Sequence, residues 1–427
     1  MSRAFLAVFA AAFMSLVLAA CRDKDDSPIP KKEGRRTVLI YQSAQNSLGY
    51  DSMHRKDSIE LVAAKNSIGD DDRLLVFTDD GRTSARLYRY DRQHKTPQLV
   101  KHWSGETDAS DPEFLQQLLT FVREKFPSKE YGLVMWSHAD GWLPSTNKNY
   151  RHAPRRSFGI DVGTGGNLYH DQTADGEVGT QMDIADMARA IEHSGIHLRY
   201  IFFDACLMQS LEVAYELRNT TDYIVASPIA TPADGAYYTH MLQRGLFSSD
   251  PTDIARTFYS DVCTDGSISD SYGGYGLVVS CLKTEGLEEL ATLTSQMLSR
   301  SSLVGRTSPN MSDVQSYSSY IYKYFYRPYC FDARLAMQRL LPETDFEVWD
   351  AALARVIMYK AASSKFWIGP SNWEYLLVDT DNFCGVSMFV PQDVYTTNAE
   401  RCAFGDHNEN FKATSWYSAA GFAQTGW

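Results

Sequence analysis

From Thr37 onward the chain alternates short apolar runs with stretches of helical spacing. Val38–Tyr41, Leu74–Phe77, Leu133–Trp136, Tyr200–Phe203, Tyr223–Ala226 and Leu277–Ser280 are strand-length runs of branched, aromatic and Leu residues. Leu87–Tyr90 reads as a strand pairing beside them. Ser58–Ala64 has a helical pattern, as has the set Ile184, Met187, Ala188 and Ile191, which Gly195 ends. Asp111-Pro112-Glu113 reads as a helix start, with a capping acid, a proline at the first helical position and an early glutamate. Phe114, Leu115, Leu118, Leu119, Phe121 and Val122 continue that helix until Pro127 stops it. Apart from Ser280 the strand runs are apolar, the mark of strands covered on both faces, and helices lie between them. The pattern therefore predicts an α/β sandwich with a mostly parallel central sheet.

Two segments depart from this rhythm. Residues 143–180 are polar and Gly-rich, a long loop for a compact domain and hence a functional or processed one. Beyond residue 285 the alternation blurs, with helices predicted over 286–300 and 332–341 and a late strand over Val386–Val390, ended by Pro391. The Tyr-rich run Tyr317–Tyr329 reads as a surface packed onto the main domain, the alternative being a face that stacks on sugars. The expected domain is 37–285, with 286–427 as a mixed α/β extension packed on it, and no internal repeat is visible.

The N-terminus reads as targeting sequence. Arg3 precedes the apolar, Ala-rich run Ala4–Ala20, which closes on Leu18-Ala19-Ala20-Cys21. This resembles a bacterial lipobox, which implies a signal peptide over 1–20 and lipidation of Cys21. Residues 21–36 are charged and interrupted by proline, the composition of a tether. Lys24-Asp25-Asp26 resembles the acidic surface-export signal of Bacteroidetes lipoproteins. The expected location is the envelope of a Gram-negative cell, in the outer membrane or on its surface, anchored through Cys21.

Cleavage would leave 407 of the 427 residues and move the formal charge from −12 to −13 by loss of Arg3. An acidic exterior disfavours nucleic acid and favours basic partners. The seven cysteines, Cys21, Cys206, Cys263, Cys281, Cys330, Cys384 and Cys402, show no metal-binding spacing. With Cys21 and Cys206 set aside an odd number remains, which argues against a complete disulfide framework.

Two of the predicted strands end in reactive side chains. One runs into Ser137-His138-Ala139-Asp140-Gly141-Trp142, the other into Asp204-Ala205-Cys206-Leu207-Met208. In α/β sheets, ligands sit beyond the carboxyl ends of the strands. A helix predicted from Leu207 to Leu217 would put Cys206 at a positive dipole end, and a nearby imidazole would favour the thiolate further. His138 would take and return the proton, and backbone N–H groups beside Ala139 and Gly141 would face a developing oxyanion. The alternative from the residues alone is a buried structural cysteine.

The motifs around His138 and Cys206, taken with Ala226-Ser227-Pro228 and Ala233-Asp234-Gly235, resemble the clostripain family of cysteine peptidases in content and order. The resemblance runs from about Thr37 to Trp427 and weakens after 285. It implies a caspase-like α/β/α fold, akin to gingipains and legumain, and a Cys–His dyad with Cys206 as nucleophile. It implies an oxyanion hole from the N–H groups of Ala139 and Cys206. Asp204 and Asp234 would line a pocket for the residue before the scissile bond and give cleavage of protein or peptide substrates after Arg or Lys. Without the resemblance, Asp204 reads as a helix-start acid and Asp234 as a turn residue. Two departures stand out: Ala139 occupies a position that is often Gly in the family, and Ala230 stands where a glutamate is usual.

Relatives are often matured by self-cleavage after the catalytic His. Here Lys148, Arg151, Arg155 and Arg156 crowd that loop, so a monomer, two-chain after cutting, is expected; the bland alternative is a solvated basic loop. No cofactor is required by this chemistry. Some relatives bind calcium, and Asp161, Asp171 and Asp175 are the acids of the Gly-rich loop, but their spacing is not that of an EF-hand. The rival from another class is a catalytically silent surface lipoprotein of the same fold that binds peptides or glycans.

Overall fold

The computed structural model describes residues 28–144, 157–163, 179–264, 267–268, 273–300, 308–317, 320–322, 325–367, 375–397 and 406–427. The strands that matter for the site are β1 (Gly34–Ser43), β2 (Asp72–Asp79), β3 (Arg86–Tyr90), β4 (Gln98–His102), β5 (Ser128–Trp136), β6 (Phe158–Asp161) and β7 (Thr180–Met182). They continue with β8 (Tyr200–Asp204), β9 (Tyr223–Ala226), β10 (Val278–Lys283) and β11 (Ile357–Ala362). Nine of them form one sheet in the order β11-β10-β9-β8-β5-β1-β2-β3-β4. The five strands β2-β1-β5-β8-β9 are mutually parallel, and an antiparallel pair extends each edge. Seven of the nine strands consequently point one way.

Both faces of this sheet are covered. Leu39 and Tyr41 of β1 pack with α3 (Pro112–Lys125) and α4 (Ile184–Ser194) on one side, together with α5 (Leu211–Leu217), α7 (Leu287–Leu298), α8 (Ala333–Leu340) and α9 (Glu343–Val356). Val38 and Ile40 pack on the other, with α2 (Met53–Ala64) and α6 (Thr252–Val262). The alternation of Cβ directions along a strand thus sends every second residue into a different core, and the strands are apolar on both faces because both are dry. The predicted start of α3 is present in detail: Asp111 accepts the Glu113 N–H at 2.9 Å and Pro112 opens the helix.

Several expectations change. The tether gives way to strand at Gly34, two residues before Arg36, because Gly34 and Arg35 N–H groups bond Pro127 and Asp71 carbonyls. The helix after Cys206 begins at Leu211, where Ser210 caps it, and leaves Cys206 in a turn. Leu207 adopts φ +62°, outside helical space, and the Leu207 and Gln209 N–H groups bond Ile229 and Ser227 carbonyls across the site. Inside the predicted loop 143–180, β6 pairs antiparallel with β7. The late strand shortens to Ser387–Met388 and pairs with Phe331–Asp332, apart from the main sheet. Residues 286–427 also lay a strand of their own, β11, on the sheet's edge. Tyr317 and Tyr329 are buried, and Tyr317 donates to Asp332 Oδ2 at 2.6 Å, so these two tyrosines pack.

Candidate active site

The parallel register of β5 and β8 pairs Met135 with Phe203 and Trp136 with Asp204. Each chain then runs two residues past the last pair, to His138 on one and Cys206 on the other. Adjacent parallel strands lie about 4.8 Å apart, so the topology brings the two reactive groups to neighbouring strand ends from 68 residues apart in sequence.

His138 is half-buried, and its Nε2 lies 2.9 Å from Ser47 Oγ, at the start of the short helix α1 (Ser47–Tyr50). Its carbonyl accepts the Gly159 N–H at 2.9 Å, while the Asp140 N–H bonds the Ser157 carbonyl at 3.1 Å. These two bonds close the bridge between Ala139 and Phe158 without using the Ala139 N–H. Gly141 adopts φ +71°, and a Cβ there would stand 2.8 Å from the Leu207 carbonyl oxygen. The turns after β5 and β8 therefore touch backbone to backbone.

Cys206 is half-buried, with Thr231 N–H directed at its Sγ at 3.3 Å and Thr231 Oγ1 at 3.7 Å. The Thr231 N–H favours the thiolate in the place of the helix dipole expected from sequence. The other described cysteines are buried; burial pushes Cys263 up to about 11 and Cys281 up to about 12, which makes them inert at neutral pH. Ala230, next to Thr231, is exposed.

Asp204 is 5% exposed and ends β8 beneath the 235–238 turn. Its carboxylate accepts the Ala236 N–H on both oxygens, at 3.1 and 3.2 Å, and the Tyr238 hydroxyl at 3.0 Å. Burial raises its pKa to about 6 in spite of these bonds. Gly235, at φ +62°, allows this approach, since a Cβ there would meet the Asp204 carboxylate at 2.9 Å. Asp234 is half-buried, and its carbonyl accepts Lys56 Nζ at 3.0 Å. The same ammonium pairs with Glu60 at 3.2 Å and Asp57 at 3.7 Å. Asp57 is pushed well above the usual carboxylate range, by burial first and then by Asp204. Two carboxylates and the Asp234 carbonyl therefore hold one lysine where α2 meets the 234–238 turn.

Ser47, Thr231 and Lys56 were invisible to sequence reading. Each acts across a long separation, and only the turn residues around them carry a local signal. Cys21, Lys148, Arg151, Arg155, Arg156, Asp171 and Asp175 lie outside the described residues. Asp161 already accepts the Ala109 and Gly163 N–H groups. Among the described residues no three His, Cys, Asp or Glu side chains gather as ion ligands, and no helix is long and apolar enough to cross a membrane.

A family model described as the clostripain family matches residues 40–332. The clostripain of Hathewaya histolytica is 24% identical over 239 residues, which is 50% of this chain and 42% of that protein, so the chain aligns with less than half the length of that relative. Among solved structures, a secreted C11 cysteine protease from Bacteroides thetaiotaomicron, in complex with an irreversible peptide inhibitor, superposes with a TM-score of 0.72 at 26% identity, covering 91% of this chain and 99% of that one. An inactive zymogen C11 protease from Parabacteroides distasonis superposes with a TM-score of 0.70 at 25% identity, covering 92% and 99%.

Proposed function

Because the chain belongs to the clostripain family, we propose that it is a cysteine endopeptidase that cleaves after Arg or Lys through Cys206 and His138. The Cys206 thiolate attacks the carbonyl carbon of the scissile peptide, and the oxyanion formed is met by the N–H groups of Ala139 and Cys206. The His138 imidazolium gives its proton to the leaving amine, the C–N bond breaks, and a thioester remains. His138 then takes a proton from water, which attacks the thioester and releases the acid and the thiolate. The observation that carries this reading is the delivery of His138 and Cys206 by adjacent parallel strands, two residues beyond Trp136↔Asp204.

Asp204 and Asp234 oppose the cation of the residue before the scissile bond. The acid-rich surroundings of Lys56 support that role, since a guanidinium or ammonium leaving water needs a carboxylate partner. The enzyme cuts itself at one of Lys148, Arg151, Arg155 or Arg156, and relatives that include a zymogen support this step. The mature protein is held at the envelope by lipid on Cys21, and no cofactor enters the reaction.

The deciding experiment compares hydrolysis of short peptides ending in Arg, Lys, Asp or Ala by wild type and Cys206→Ala. Wild type should release the leaving group after Arg and Lys and lose that activity on thiol alkylation. Folded Cys206→Ala should be inert; turnover undiminished in that variant would overturn the assignment.

A further inference from the structure

Ser47 stands closer to His138 than a bystander needs to. Its hydroxyl is 2.9 Å from Nε2, and its backbone is fixed by the residue before it. Asn46 is fully buried, and its Nδ2 lies 3.0 Å from the Ser43 carbonyl, 3.2 Å from Ser137 Oγ and 3.1 Å from the Ile160 carbonyl. Ser137 Oγ donates in turn to the Ser43 carbonyl at 2.7 Å. Asn46 also caps α1 by accepting the Leu48 N–H at 3.1 Å. The end of β1, the residue just before His138 and the end of β6 are therefore tied to one side chain. Ser47 is the next residue along, and it inherits that fixed position.

We propose that Ser47 is a positioning residue for His138, accepting the Nε2–H and so reserving Nδ1 for the proton of Cys206. This rests on the Cys206–His138 reading above. In a thiolate–imidazolium pair both ring nitrogens carry hydrogen, so the Nε2–H must donate and the Ser47 hydroxyl must accept. When the ring is neutral, a hydroxyl that goes on accepting leaves the proton on Nε2. The basic lone pair is then on Nδ1. A hydroxyl fixes the ring's orientation without adding a charge. A carboxylate in its place would also stabilise the imidazolium and move its titration to higher pH. The choice of serine therefore keeps the ring able to give up its proton to the leaving amine near neutrality.

The test measures kcat, KM and the pH dependence of Cys206 alkylation by iodoacetamide in Ser47→Ala, Ser47→Thr and Ser47→Asp, with His138→Ala as reference. Ser47→Ala should lose roughly ten- to a hundredfold in kcat with KM little changed, the scale of a misplaced catalytic group. Ser47→Thr keeps the hydroxyl and should recover most of that loss. Ser47→Asp should move the alkaline limb of the rate profile upward by about one pH unit or more, as an opposed charge does. Thermal melting of all three tells a positional loss from a damaged fold. Wild-type kcat and pH profile in Ser47→Ala would overturn the proposal, as would a Ser47→Thr no better than Ser47→Ala. If His138→Ala alkylates with the wild-type profile, the Cys–His reading itself falls and Ser47 falls with it. A profile moved by His138→Ala and untouched by the Ser47 variants would overturn Ser47 alone.

Discussion

Asp204→Asn separates the cost of a buried acid from its use. In the folded chain the carboxylate is held by the Ala236 N–H and the Tyr238 hydroxyl, yet burial still lifts its pKa to about 6. Unfolded, it titrates near the ordinary aspartate value of about 3.9. Between these two values the native state keeps a proton that the unfolded chain has released. By linkage the stability contributed below pH 4 is then lost as pH rises, and it is gone above about 6. At about 1.4 kcal/mol for each pH unit between them, the loss comes to about 3 kcal/mol. Asparagine keeps the shape, can accept the Ala236 N–H and has no proton to lose, so the variant should lack this slope. Relative to wild type, Asp204→Asn should therefore gain about 3 kcal/mol in unfolding free energy between pH 4 and pH 7.5. Its cleavage after Arg and Lys should fall about ten- to a hundredfold, the worth of a charge-assisted contact. Denaturant unfolding at the two pH values, on a Cys206→Ala background that cannot digest itself, measures the first; peptide kinetics in the active background measure the second. Identical pH slopes in variant and parent would refute the burial argument. Unaltered Arg and Lys preference would move the specificity pocket away from Asp204.

Gly141→Ala adds a Cβ 2.8 Å from the Leu207 carbonyl oxygen at a positive φ; it should cost about 1–2 kcal/mol in backbone strain and roughly a hundredfold in kcat by parting the two reactive turns. A variant with wild-type melting and kinetics would show that the turns do not brace each other. Purified wild type should run as two associated fragments divided within 148–156, and Cys206→Ala as a single chain, with N-terminal sequencing of the downstream fragment locating the cut. Identical division of Cys206→Ala purified alone would remove self-cleavage.

The central strands were legible because burial on both faces leaves a run such as Val38–Tyr41 with no polar interruption. The start of α3 was legible because Asp111-Pro112-Glu113 satisfies helix-end chemistry locally. α9 had a readable stripe as well, in Phe346, Trp349, Leu353 and Val356, yet the blurred surroundings after residue 285 concealed it. The turn after Cys206 was misread as helix because Leu207–Leu217 has helical composition. What stops the helix there is a set of hydrogen bonds to residues 227–229, and no local pattern encodes those. The site divides in the same way. His138 and Cys206 are announced by the strands that carry them, whereas Ser47 reaches His138 from 91 positions away. Thr231 meets Cys206 only because the β9 turn folds back over it.

The seam between β5 and β8 also has a consequence for assembly. Every strand on one side of it, β5-β1-β2-β3-β4, precedes residue 137, and every strand on the other, β8-β9-β10-β11, follows residue 199. A chain severed anywhere between His138 and Tyr200 becomes two complementary half-sheets, with the imidazole on one and the thiol on the other. Apart, each half exposes an unpaired strand edge with an apolar stretch, Leu133–Trp136 on one and Tyr200–Phe203 on the other, a surface that seeks a partner strand or aggregates. Together they regain five register pairs, Gly132↔Tyr200 through Trp136↔Asp204. Catalysis in such a molecule reports reunion: separately produced halves would be silent, and activity would appear with second-order kinetics as the seam zips closed.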